Sequence, residues 1–250
     1  MKPRLFSKLK ILLAVFIWIV FWALLSLAVA NPLLLPGPLA VFKRLGELIR
    51  GADFWRCTLT SLLRVLLGVV SAAVLASLLA ALSERSSPAK ALIGPVMTVI
   101  KSTPVASFTI LVLLWLSRDA APVLICALIV MPVVFSNVSA GIRSVDPLLL
   151  ELAQAYRLGR MKTFRRIKLP SVMPYFRSAM QSSLGFGWKA GVAAEVLTLP
   201  RQSIGRMIME SKLYLETGDL FAWTLAVILL SLLIERLLMR LISGRRQENG

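Results

Sequence analysis

Residues 144–174 read SVDPLLLELAQAYRLGRMKTFRRIKLPSVMP, a polar interruption in a chain that is otherwise mostly apolar. Arg143, Arg157, Arg160, Lys162, Arg165, Arg166, Lys168 and Arg177 crowd this stretch and its edges, between two segments of membrane-crossing length. Asp146 followed by Pro147 has the form of a helix N-cap with proline at the first helical position. Leu148, Leu152, Ala155 and Gly159 recur at helical spacing, so the predicted helix has one apolar face and turns Glu151 and Gln154 to the other. Gly159 is expected to end it. A second short helical piece then carries Phe164 and Ile167 toward Leu169-Pro170. Two short helices with an apolar face, held between spans, have a shape suited to docking on another protein. A loop that fixed topology by charge alone would need neither cap nor stripe.

Outward from that loop the composition sets the class. Of the 250 residues 58% are hydrophobic, and the mean hydropathy is +0.80, which points to an all-α polytopic membrane protein. A formal net charge of +17 would suggest nucleic acid in a soluble chain. Here no recognition module accompanies the charge, and basic residues that set topology and face anionic lipid account for it, so no nucleic-acid partner is expected. The chain has no histidine, which excludes histidine-based catalysis and metal ligation, and Cys57 and Cys126 form no metal or redox motif.

Hydropathy predicts six transmembrane helices. Lys2, Arg4, Lys8 and Lys10 precede an apolar run from Ile11 to Ala30. Ala28-Val29-Ala30 mimics a signal-peptidase site, but the run exceeds the usual ~7–15-residue signal core, and a retained first span is expected over residues 1–30. Residues 31–57 read as an external amphipathic segment, with Leu39, Phe42, Leu45 and Ile49 on one helical face. The remaining spans lie within 58–241: Thr58 to Leu82, with Arg64 expected to snorkel outward; Ala91 to Leu116, broken by Lys101-Ser102-Thr103-Pro104; Ala121 to Ala140; Ser171 to Leu197; and Leu220 to Leu241. SERSSPAK (83–90) is expected as a cytoplasmic turn and 198–219 as a polar outer segment. The basic loop 144–170 and the tail 242–250 then fall inside by the positive-inside rule, with both termini cytoplasmic.

ELAQAYRLGRMKTFRRIKLP resembles the EAA loop of ABC importer membrane subunits, with Glu151, Ala153, Ile167, Leu169 and Pro170 at the family spacing. Leu152 replaces the first alanine of the pattern, and Arg157 stands where a glycine is expected, with Gly159 two residues later. LPGPLAVFKRLGELI, SLLRVLLG, KSTP, GWKAGVAAEVL and YLETGDLFAWTLAVILLSLLIERLL look like the nitrate, sulfonate and taurine branch, so the resemblance covers nearly the whole chain. It implies a five-helix permease core plus one amino-terminal span, in a bacterial inner membrane. It also implies cytoplasmic coupling helices in which Glu151, Ala153, Ala155, Gly159, Phe164, Ile167, Leu169 and Pro170 meet a partner ATPase. The implied partners are a dimer of ATPase subunits, a second permease copy, an external solute-binding protein and the lipid bilayer. ATP with its magnesium ion would be bound by the ATPase, with no cofactor in this chain.

The residues themselves agree with a non-enzymatic subunit. No G-x-x-x-x-G-K-[ST] phosphate loop occurs, and no catalytic triad can be assembled without histidine. Ionisable groups within spans cost about 2.5–3.5 kcal/mol each on insertion scales, so Lys101, Lys189 and Glu195 are expected to face protein. Two readings stand for the lysines: with Pro104 and Glu195 they line a path for an anionic solute, or they snorkel and pair with carbonyls. Lys189 and Glu195 lie roughly 120° apart around a helix, too far round for direct pairing, and Glu195 is expected to brace a neighbouring span. A stand-alone secondary transporter is the competing function. Internal repeats are its usual mark, and none is evident here.

Overall fold

Helices form every regular element among the described residues of the computed structural model, which covers residues 3–243, with side chains described for Lys10 and residues 12–237. Lys2 and the tail beyond Ser243, both expected inside, lie outside the described residues. In chain order the helices are α1 (Pro3–Val29), α2 (Pro38–Arg50), α3 (Ala52–Arg85), α4 (Ser87–Ser102), α5 (Val105–Val112), α6 (Ala121–Arg143), α7 (Pro147–Ala155), α8 (Arg160–Thr163), α9 (Leu169–Thr198), α10 (Ile204–Leu213) and α11 (Thr217–Ser243). Four helices are long and apolar enough to cross a membrane: Leu12–Val29 of α1, α3, α6 and Thr217–Leu237 of α11. α4 and α5 qualify together as a fifth, bent by 104° at their break. α9 has 30 residues, about 45 Å at 1.5 Å per residue, but Arg177, Lys189 and Glu195 interrupt its apolar run.

The core is the three-way packing of α3, α6 and α9. Val65, Val69, Ala72, Ala76 and Ala80 place small and β-branched side chains on one stripe of α3, facing Cys126, Val130, Val134 and Val138 of α6. The backbones meet closely at Gly68, where a Cβ would lie 2.7 Å from the Val123 carbonyl and 2.8 Å from Cys126 Cβ. From α9, the buried Trp188 donates its indole N–H to the Val227 carbonyl of α11 at 3.1 Å. The opposite face of α3, with Leu63, Leu67, Val74 and Leu78, is exposed, as a lipid-facing surface must be in the absence of further protein.

Two ion pairs mark the ends of this bundle. Arg64 of α3 bonds Asp119, just ahead of α6, and Glu84 at the other end of α3 bonds Arg143, where the 144–170 loop begins. At 1.5 Å per residue they stand roughly 30 Å apart along α3, the thickness of a hydrocarbon core. α1 stands apart from the bundle: none of its apolar window is buried. It touches the rest where Trp22 stacks on Phe221, with ring centroids 6.2 Å apart, and where the Ser26 hydroxyl donates to the Leu35 carbonyl at 2.9 Å. α2 buries Val41 and Leu45, and its Arg44 bridges to Asp219 at the start of α11, which together with Glu47 holds that guanidinium above its usual pKa.

Several expected boundaries move. The helix of the segment expected outside ends at Arg50, and Phe54 and Cys57, expected within that segment, are buried in the first turns of α3. The expected turn 83–90 shrinks to the single extended residue Ser86, since α3 runs to Arg85 and α4 starts at Ser87. The break at Thr103–Pro104 is a sharp corner rather than an interruption in a straight span. No break occurs at Leu169-Pro170: α8, a π turn over Phe164–Lys168 and α9 follow without a gap. The wider π turn takes up the contact between the Pro170 ring and the carbonyl four residues earlier that would otherwise kink the helix.

Candidate coupling loop, path surface and buried ionic cluster

The 144–170 loop builds as its capping residues dictate. Asp146 accepts the Leu148 N–H at 2.9 Å, with Pro147 behind it. α7 does not stop at Gly159. Arg157 takes a left-handed backbone with φ 49°, its N–H donates to the Gln154 carbonyl at 2.9 Å, and the Leu158 N–H donates to Ala153 at 2.8 Å. This is the Schellman pair of bonds with arginine in the position glycine favours. Gly159, at φ −62° and ψ 153°, is instead the extended N-cap of α8. Arg157 thus holds the left-handed position at the end of α7, and Gly159 is a different joint.

Ala153 is the buried residue of α7, while Glu151, Ala155 and Gly159 are exposed. Leu148, Leu152 and Tyr156, at four-residue spacing, leave an apolar stripe open, with Leu148 70% and Tyr156 74% exposed. Phe164, Leu169 and Pro170 are exposed and Ile167 half-buried on the following segment. Of the predicted loop residues, Glu151, Ala155, Gly159, Phe164, Leu169 and Pro170 are thus accessible, while Ala153 packs inward.

Of the predicted path residues, Lys101 and Glu195 lie in different surroundings. Lys101 lines an open cavity of about 310 Å³ with Thr103, Val105, Pro132, Ser136 and Phe186. Pro104 is exposed at the corner, and Lys189 is exposed on α9. Glu195 is fully buried. Its carboxylate accepts from the Ser61 hydroxyl at 2.7 Å, from Arg64 at 3.2 Å and from the Gly205 N–H at 3.3 Å. Through these bonds it joins α9 to α3 and α10.

Arg64 is the correction that matters most. It does not snorkel: it donates to Glu195, to Asp119 at 3.0 Å, and to the Arg201 and Gln202 carbonyls at 2.7 and 3.3 Å. Gly205 lets α10 reach the cluster, since a Cβ there would sit 2.4 Å from Glu195 Cβ and 2.5 Å from the Val196 nitrogen. Ser61, Asp119 and Gly205 escaped the sequence reading. The available signal was a lone arginine and a lone glutamate in two spans, each of which needs an opposite charge in lipid. Beside the cluster, Arg56, Arg201 and Arg206 surround an open cavity of about 530 Å³ with Asp53 and Glu210. Arg206 bonds Glu210 at 2.7 Å, which raises its pKa above the usual guanidinium value.

The family model for binding-protein-dependent transport system inner membrane components matches residues 72–247. The chain belongs to this family. It is a permease subunit of an ABC importer, as the resemblance implied. Among curated relatives, the taurine transport system permease protein TauC of Escherichia coli (strain K12) is 25% identical over 86% of this chain and 80% of its own length. The putative aliphatic sulfonates transport permease protein SsuC of Bacillus subtilis (strain 168) is 27% identical over 82% of this chain and 74% of its own. The riboflavin transport system permease protein RibX of Chloroflexus aurantiacus is 26% identical over 89% and 86%. A solved structure described as an amino acid ABC transporter with histidines has the same fold: TM-score 0.61 and 19% identity, covering 78% of this permease and 93% of that chain.

Proposed function

We propose that this permease works as a homodimer with two cytoplasmic ATPase subunits and an external binding protein, and that it passes a small anionic solute of the sulfonate, nitrate or taurine kind. The observation that carries this reading is the 144–170 surface: a capped helix that buries Ala153 and leaves Glu151, Leu148, Leu152 and Tyr156 open to a partner. Glu151, Ala153, Ala155, Gly159, Phe164, Ile167, Leu169 and Pro170 would dock on the ATPase, where ATP and magnesium are bound. Closure of the two ATPases would then favour one of two facing states of the paired cores, through contacts that differ between the states. Counting α9 and the bent α4–α5 pair as spans gives six crossings, with loop 144–170 and both termini inside. α9 earns its place in that count by length and by its position against α3, α6 and α11.

The anionic reading is supported by Lys101 in one open cavity and by Arg56, Arg201 and Arg206 around the other. Sulfonates, bicarbonate and nitrate are named among the relatives' solutes, beside zwitterionic taurine and neutral riboflavin. The test is co-purification of the ATPase with Glu151→Lys and Leu152→Asp, both at exposed positions. Loss of the complex and of ATP-driven uptake is expected. A retained complex with full ATP turnover would refute the docking assignment, and uptake that needs no ATP would favour a secondary transporter instead.

A further inference from the structure

The segment joining α9 to α10 holds two non-glycine residues in the left-handed region, Leu199 at φ 51° and Gln202 at φ 47°. Such backbone persists where its surroundings over-determine it. α3 supplies the determination. The Thr60 hydroxyl donates to the Gln202 carbonyl, the Ser61 hydroxyl accepts the Ile204 N–H at 3.0 Å, and Arg64 donates to the Arg201 and Gln202 carbonyls. Asp119 adds a second element, the α5–α6 turn: it accepts both from Arg64 at 3.0 Å and from the Arg201 N–H at 3.0 Å.

The two acidic arms of Arg64 differ in kind. The Glu195 side chain is 1% exposed and that of Asp119 is 52% exposed. Opening the Glu195 arm would strand a buried carboxylate, whereas water can replace Arg64 at Asp119. On its other side the α5–α6 turn follows the 104° corner at Thr103–Pro104, so α5 and its turn run in a different direction from α4. We propose that Arg64 is a positioning residue of the transport cycle: its Glu195 arm is a fixed hinge, and its Asp119 arm is a latch. The latch holds the α5–α6 turn to segment 199–204 in one facing state and releases it in the other. This rests on the importer reading above, since only a chain that alternates between two states needs a releasable arm.

The test uses the permease–ATPase complex in lipid nanodiscs with an Arg118→Cys/Arg201→Cys pair beside the latch, which keeps Arg64, the Asp119 carboxylate and the Arg201 N–H in place. On the hinge side it uses a Thr60→Cys/Gln202→Cys pair between α3 and segment 199–204. Each is treated with a short bifunctional thiol reagent, without nucleotide and after trapping with MgATP and vanadate. Cys57 and Cys126 are buried, and the unmodified complex gives the background. The latch pair is expected to change its cross-linking yield at least five-fold between the two conditions, and the hinge pair to keep its yield. Equal latch yields overturn the proposal. Absence of ATP hydrolysis in the unmodified complex would instead overturn the importer reading, and the latch with it. If the latch pair fails to assemble, Asp119→Asn decides, because it keeps an acceptor for Arg201 and loses the charge. An altered basal ATP turnover of at least three-fold at unchanged Tm supports the latch, and unchanged turnover overturns it.

Discussion

Arg157 sits in a left-handed conformation that costs an L-residue about 1–2 kcal/mol and costs glycine nothing. The Schellman bonds at Gln154 and Ala153 hold it there. Arg157→Gly is therefore expected to stabilise the end of α7 by about 1 kcal/mol, read as slower hydrogen exchange at the Leu158 amide. Arg157→Val should do the opposite, since a β-branched residue tolerates that region least. Gly205 is constrained by space instead of by φ. Its neighbours at 2.4 and 2.5 Å include backbone that cannot step aside, so Gly205→Ala should destabilise the protein by about 1–3 kcal/mol. The check is a lowered Tm of the detergent-purified chain. Glu195→Leu should cost about 3 kcal/mol or more on the same measurement, because Ser61, the Gly205 N–H and one arm of Arg64 would lose their acceptor together.

At the scale of elements, the capping chemistry of α7 and the small-residue stripe of α3 do different work. α7 has little tertiary burial, so its helicity leans on the Asp146 cap. Asp146→Ala is expected to weaken it by about 1 kcal/mol, seen as faster exchange at the Leu148 amide and as weaker retention of the ATPase at unchanged Tm of the bundle. α3 needs no side-chain cap, and none is present at Gly51. Its 34 residues are held by close contact with α6 and α9 instead. The unexpected continuity from α8 through the π turn into α9 joins the loop to the core through helix without a gap.

At the scale of the whole molecule, the two ion pairs at opposite ends of α3 define the depth of the bundle, and the proposed topology assigns them to opposite sides of the membrane. Gly159→Cys is expected to be labelled by a membrane-impermeant thiol reagent from the cytoplasmic side, and Tyr214→Cys from the outer side. Both positions are exposed, and the native cysteines are buried. Labelling of both from one side would refute the topology. The sequence alone determined the membrane class, the family, the Asp146 cap, the break at Thr103–Pro104 and the basic loop. Each of these rests on a local or additive property: hydropathy summed over a span, a side chain reaching a nearby amide, or a proline without an N–H. Only the tertiary structure decided the end of α7 at Arg157, the continuity into α9, and the partnership of Arg64 with Glu195 and Asp119. Those depend on which backbone hydrogen bonds win at a helix end, and on charges far apart in sequence that lipid will not tolerate alone. Hydropathy can say that Arg64 and Glu195 need partners, but only the packing of α3 against α9 makes them each other's.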